Sequence, residues 1–265
     1  MTTRDDSLWH TTMGDEPLIA SAVHDGHDLR DEVAALMHLS NTDRLREEDP
    51  HTGMWAEIAD TRIIARRSRF ECDINRPRER AVYVDPEDAW GLHVWKERPD
   101  EAFVARSLDV YDQFYGELGR VYEAMTERFG CVLSLDLHTY NHQRGGPGAP
   151  YDDPEANPEV NIGTRTMDRE RWAPIVDAFI EGLRSFDFGG RHLDVRENVK
   201  FFGGNHPRWT HARFPDSACV IAIEFKKFFM DEWSGDVDWD QHALIKRALR
   251  STVDSVMPIV RKMGS

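Results

Sequence analysis

Cysteine is scarce in this 265-residue chain: Cys72, Cys131 and Cys219 are the whole supply, an odd number with no Cys-x-x-Cys pair. That excludes a disulfide framework and the paired thiolates of a structural zinc site, and two of the three lie in apolar, strand-like runs where a thiol behaves as a small hydrophobe. Buried, reduced thiols in a cytoplasmic protein are the expectation. Positive charge is also short. Only 33 lysines and arginines stand against 48 aspartates and glutamates, a formal net charge of −15, so phosphate backbones and anionic lipid surfaces are repelled and neither nucleic acid nor membrane is an expected partner. No apolar run approaches the roughly 20 residues a bilayer span needs. The start of the chain, Arg4 followed by Asp5 and Asp6, does not read as a secretory signal. No Gly-x-Ser-x-Gly turn is present, which removes the main covalent hydrolase arrangement.

What is present suffices for a large core: 40% of residues are hydrophobic, and a single domain over 1–265 is expected. Leu18 to Val23 reads as a strand that stops at the turn-forming His24-Asp25-Gly26. A polar, helix-favouring piece with Val33, Leu36 and Met37 follows, then a β-branched strand over Thr61 to Arg66. Residues 102 to 129 form the strongest helix, with Val104, Leu108, Tyr111, Tyr115, Leu118, Tyr122, Met125 and Phe129 stepping by four and three. That stripe reads as core. Gly130 closes the helix and a strand runs from Cys131 to His138. Seven glycines and prolines from Gly145 to Pro158 then forbid regular structure over 139 to 158, and a loop of that length is usually functional. A helix from Asp168, taken as its N-cap, to Ser185 precedes an irregular stretch with Gly189-Gly190 and Gly203-Gly204. A strand over 219 to 225 and a helix from Trp239 to Lys262, with Asp238 at its start, complete the pattern. Alternation of strands and helices predicts an α/β fold: a mixed, mostly parallel sheet with helices on both faces.

Open α/β sheets carry their chemistry beyond the carboxyl ends of the strands, and three strands here end in ligand-type residues. His24 and His27 follow the first strand, as metal ligands or as solvated turn residues. Asp136 and His138 share one face of the second, so the carboxylate can orient the imidazole, bind a metal itself, or form an ordinary strand-end pair. Glu47-Glu48-Asp49 offers an oxygen ligand, although most acidic runs are solvated faces. Glu224 lies inside the apolar 218–225 run, where an unpaired carboxylate is costly, so either a functional role or a salt bridge to an internal Arg or Lys must compensate it. Arg66, Arg67, Arg69, Arg76, Arg78 and Arg80 form a local arginine excess in an acidic chain. A guanidinium fork matches a carboxylate, so an anionic small substrate would be gripped here, by Arg76 first and Arg69 behind it.

Taken in order, His24-x-Gly26, Arg46-Glu47-Glu48-Asp49, Arg69 with Asp73-Ile74-Asn75-Arg76-Pro77, Leu135-Asp136-Leu137-His138, Phe202-Gly203-Gly204 and Ile223-Glu224 resemble the N-formylglutamate amidohydrolase family over nearly the whole chain. The same order is similar to the wider zinc-carboxypeptidase-like, phosphorylase/hydrolase-like fold. The resemblance implies one Zn²⁺ per chain, held by His24, Asp49 and His138, with Glu224 as general base and Asn75 and Arg76 on the substrate carboxylate; Asp136 is then best placed to orient the His138 ring. Glu48 and His27 are the rival second ligands; His27 stands three residues after His24, where zinc carboxypeptidases carry a carboxylate. Val23 replaces the proline usual before the first histidine, and a polar insertion spans about 86 to 101. The implied reaction is hydrolysis of a small N-acyl amino acid, N-formyl-L-glutamate at family level. A zinc carboxypeptidase or peptidoglycan-type amidase, and a non-catalytic small-molecule binder of the same fold, are the alternatives.

Overall fold

The computed structural model describes residues 8–265, so the reading of Arg4, Asp5 and Asp6 lies outside the described residues. Strand β1 (Trp9–Thr12) precedes β2 (Leu18–Ala22), and short helices α1 (Asp31–Leu36), α2 (Asn41–Glu47) and α3 (Thr52–Ala56) lead into β3 (Thr61–Ala65). Helix α4 (Glu101–Phe129) is followed by β4 (Val132–Tyr140), β5 (Val160–Gly163), α5 (Ala173–Ser185) and β6 (Val195–Glu197). Helix α6 (Asn205–Arg213), β7 (Ala218–Lys226) and α7 (Trp239–Gly264) complete the order. Among the described residues no helix is long and apolar enough to cross a membrane.

The strands form a single sheet in the order β1-β3-β2-β4-β7-β5-β6. β1 on β3 and β5 on β7 pair antiparallel; the other neighbours pair parallel, so the sheet is mixed and mostly parallel as the alternation predicts. Side chains alternate across it. Leu133, Leu135 and Leu137 of β4 and Cys219, Ile221 and Ile223 of β7 pack on one face with Trp55 of α3 and the apolar sides of α5 and α7. Val132 and Val220 point the other way, among Tyr111, Leu118, Tyr122 and Met125 of α4. All three cysteines are free and buried.

Four readings need correction. The α5 helix starts at Ala173 after Trp172, not at Asp168; Asp168 instead closes a turn by accepting from Arg171 N at 3.1 Å and, through its carbonyl, from Trp172 N at 3.1 Å. A short polar side chain can satisfy backbone donors in a turn as well as in a helix, so cap chemistry was present one turn early. The glycine-bearing stretch before α6 is not wholly irregular, since β6 pairs parallel with β5. β4 runs two residues past His138, so the Gly/Pro loop starts at Asn141. The buried stripe of α4 begins at Phe103 and Ser107, with Val104 and Leu108 only partly covered.

Candidate metal centre and cleft

His24, two residues past the end of β2, His138 near the end of β4, and Glu224 near the end of β7 meet at the carboxyl edge of the parallel strands. The β4–β7 register sets His138 directly beside Glu224, and both project to the face opposite Leu137 and Ile223. Asp49 arrives from the segment after α2, whose Asp49 N–H donates to His24 O at 3.0 Å. Its Oδ2 lies 3.3 Å from His24 Nδ1 and 2.9 Å from His138 Nδ1, and its Oδ1 accepts from Thr139 Oγ1 at 3.2 Å. The two imidazole centroids are 4.9 Å apart.

The outer nitrogens of the two rings also meet carboxylates. His24 Nε2 is 2.7 Å from Asp73 Oδ1. His138 Nε2 is 3.1 Å from Asp136 Oδ2, an ion-pair approach off the hydrogen-bond angle, and 3.1 Å from Asn75 Nδ2. Each ring is thus held between an inner carboxylate shared by both and an outer carboxylate of its own. Outer partners of this kind fix the ring and its tautomer when the inner nitrogen binds a metal. The trio suits one: the ligand atoms of His24, Asp49 and His138 lie within 4.8 Å of one another, all buried. Tetrahedral donors at zinc distances stand about 3.3 Å apart, close to the separations here. The group could hold a metal ion in place.

Electrostatics follow from burial with compensation. Burial disfavours the Asp49 carboxylate, yet His138 and His24 hold it well below the usual range. Burial opposes ionisation of Asp73 as well; Arg69 and His24 keep it charged. Asp136 is held down against burial by His138 and His206, and His138 is raised, despite burial, by Asp136 and Asp49. Glu224 differs. Burial, with Asp49 and Asp136 nearby, lifts it to about 8 although His138 pulls the other way. Among the described residues no salt bridge to an internal Arg or Lys accompanies it, so the structural alternative is absent.

The acidic run is buried rather than solvated. Arg144 Nη2 reaches Glu47 Oε2 at 3.0 Å; Glu48 takes Arg44 at 3.3 Å, His27 Nδ1 at 2.5 Å and the Ser68 hydroxyl. His27 and Glu48 therefore pair with each other away from the trio, and Asp49 alone of the three rival ligands joins His24 and His138. Arg69 lines the cleft but is committed: Nη2 binds Asp73 Oδ2 at 2.7 Å, Nε binds Tyr83 Oη at 3.1 Å and Nη1 binds Glu47 O at 3.2 Å. Arg76 stays half-buried, 3.7 Å from Asp73, with its side chain in the cleft. Asn75 is gripped from both ends, with its Nδ2 3.1 Å from His138 Nε2 and its Oδ1 accepting from His206 N at 2.9 Å. A Cβ on Gly204 would come within 2.3 Å of Asn75 Oδ1, so this approach requires glycine there.

Several contributors lay outside the sequence reading. Asp73 lies in the Asp-x-Asn-Arg element, where nothing local announces its contacts with His24 and Arg69. His206, fully buried on α6, sets Nδ1 2.9 Å from Asp136 Oδ1 and Nε2 3.2 Å from Tyr122 Oη. Lys227, buried at the end of β7, donates to Arg46 O at 2.6 Å and Glu48 O at 2.8 Å, anchoring the segment that carries Asp49. The α4 stripe does more than pack: Tyr115 donates to Ile74 O at 2.7 Å and Tyr111 to Arg76 O at 3.2 Å, which fixes the Asp73 to Arg76 loop. The cleft has a volume of about 460 Å³, with Trp90 and Arg144 also on its walls, the size of a small-molecule site.

Residues 16–230 match the family model described as N-formylglutamate amidohydrolase. No curated protein sequence matches the chain. Among solved structures it is similar to an N-formylglutamate amidohydrolase from Ralstonia eutropha JMP134, with a TM-score of 0.73 at 18% identity, covering 96% of this chain and 98% of that one. A gene product from Agrobacterium tumefaciens gives a TM-score of 0.66 at 18% identity, covering 97% of this chain and 98% of that one. At such identity the two structures speak for the fold.

Proposed function

Because the chain belongs to the N-formylglutamate amidohydrolase family, we propose that it hydrolyses the amide bond of a small N-acyl amino acid, N-formyl-L-glutamate or a close relative, with one zinc ion held by His24, Asp49 and His138. The observation that carries this reading is the buried His24, Asp49 and His138 trio opening on a cleft beside a carboxylate with no ion-pair partner among the described residues, Glu224. Bound zinc would polarise the amide carbonyl and lower the pKa of water from about 15.7 to near 7. Glu224 takes the proton of the attacking water and returns it to the departing nitrogen as the C–O bond forms and the C–N bond breaks, leaving formate and a free amine. Burial, with Asp49 and Asp136 nearby, raises this carboxyl to about 8, and the positive charge of a bound ion would bring it down toward neutrality, where it can take up and pass on a proton. Arg76 and Asn75 fix the substrate carboxylate, so the acyl carbon is presented to the water by orientation. Asp73 and Asp136 keep the two imidazoles turned toward the ion.

Arg144 ties the Gly/Pro loop to Glu47 and stands on the cleft wall. A loop walling the cleft in this way favours a short acyl group over a peptide chain. The partner is accordingly a small anionic N-acyl amino acid. The test is to load the purified protein with zinc, offer N-formyl, N-acetyl and N-succinyl amino acids beside short peptides, and measure release of primary amine. Formyl amino acids should lead. Turnover confined to the peptides would replace this reading with a carboxypeptidase, and no turnover of any member would leave a binding protein.

A further inference from the structure

The segment from Asn198 to Gly204 joins β6 to α6 and forms part of the cleft wall, and one side chain in the neighbouring strand holds residues 199 to 201 of it. Asn161 of β5, fully buried and register partner of Glu224, accepts from three successive N–H groups: Val199 at 3.0 Å, Lys200 at 2.8 Å and Phe201 at 3.3 Å. Its own amide donates to Phe201 O at 2.8 Å. Lys200 is thereby presented to the cleft from a rigid backbone rather than a free loop. Its ammonium donates to Asn157 Oδ1 and lies 4.7 Å from the Tyr140 ring centroid.

The cleft cations differ in how their charge is met. Arg69 is paired with Asp73, Arg144 with Glu47, and Arg76 lies near Asp73. Lys227 is buried against two carbonyls. Lys200 alone of these is both partly exposed and without a carboxylate in contact among the described residues. An amide oxygen and a ring face leave most of a positive charge uncompensated, and burial already pushes Lys200 below the ordinary lysine range. An anion entering there gains more than it would at an open surface. Along the sheet, Arg76 comes from the segment after β3 and Lys200 from the segment after β6, with β2, β4, β7 and β5 between them and His24, His138 and Glu224 carried by the first three. A substrate spanning the reacting centre therefore meets a cation at each end.

We propose that Lys200 binds the side-chain carboxylate of the substrate and so selects N-acyl amino acids with an acidic side chain over neutral isosteres. This rests on the amide-hydrolase reading, in which Arg76 and Asn75 take the α-carboxylate. The pinned loop lowers the ordering cost of that contact, which makes it a specificity device rather than a mobile lysine that happens to be near.

The test compares N-formyl-L-glutamate with N-formyl-L-glutamine, which differ by one charge and little shape, on zinc-loaded wild type, Lys200→Met and Lys200→Arg. The ratio of kcat/KM for the two substrates should fall by at least about tenfold in Lys200→Met, through KM on the glutamate substrate, and recover in part in Lys200→Arg. Damage to the fold or the metal site would lower both rates together and leave the ratio intact, so an unchanged ratio overturns the assignment. A parallel calorimetric titration of L-glutamate and L-glutamine into the same proteins gives the ratio of dissociation constants. If wild type hydrolyses neither formyl amide, the proposed reaction falls, while the binding ratio still judges Lys200: its collapse in Lys200→Met supports the subsite and its persistence rejects it.

Discussion

His24 points its outer nitrogen at Asp73 Oδ1, 2.7 Å away, while its inner nitrogen faces Asp49. Asp73 is in turn fixed by Arg69 at 2.7 Å, by the Tyr83 hydroxyl and by Asn75 N at 2.9 Å. The carboxylate is thus spent on orienting one imidazole and tying it to the Arg69 to Arg76 segment. Replacing Asp73 by Asn removes the charge and keeps the shape. Zinc affinity, read by competition with a chromophoric chelator, should fall by about 10- to 100-fold. An affinity equal to wild type would show that His24 needs no outer carboxylate.

Glu224→Gln separates the metal from the proton. The amide cannot take up the proton of water, but the trio of ligands is untouched, so zinc content by atomic emission should stay near one per chain. kcat should drop by at least about 10²- to 10⁴-fold. Activity near wild type would move the base elsewhere in the cleft.

The long periodic elements were legible because burial repeats along them: β2, β4 and β7 read as apolar runs and α4 as a stripe. β1, β5 and β6, of four, four and three residues, are too short to carry a period, and α6 has few apolar positions for one. The site divides in the same manner. His24, His138 and Glu224 sit at strand ends, where local sequence announces chemistry. Glu47, Glu48 and Asp49 read locally as a solvated acidic run. Their burial depends on Arg144, on Arg44 with Ser68, and on His24 with His138, partners up to 97 residues away that no local pattern reveals. His206 and Lys227 escaped for the same reason, since each acts on backbone or side chains from another element.

Arg76 supplies the clamp in the proposed reaction, and its backbone is held by Tyr111 while its side chain remains half-buried in the cleft. Arg76→Met keeps the aliphatic stem. KM for N-formyl amino acids should rise by at least about tenfold with a smaller effect on kcat, the pattern expected when ground state and transition state lose the same contact. Equal KM values in the two proteins would transfer the clamp to another cation.

Acid stability should report on a histidine away from the trio. His211 on α6 accepts from Val220 N at Nε2, 3.0 Å, and places Nδ1 3.0 Å from Thr166 Oγ1. The Val220 contact requires an unprotonated Nε2, so a charged ring would set donor against donor. Burial first, then the neighbouring His206, lowers its pKa to about 4. Between that value and the ordinary 6.5 the unfolded chain binds a proton that the folded chain refuses, so stability rises with pH across the window. Its contribution is complete above about 6.5, is lost as pH falls toward 4, and amounts to roughly 3 kcal/mol. Urea unfolding from pH 7.5 down to 4.5 should show this slope. His211→Gln, whose amide can still accept from Val220 but does not titrate, should flatten it, and an unaltered slope in that variant would assign the acid sensitivity to other groups.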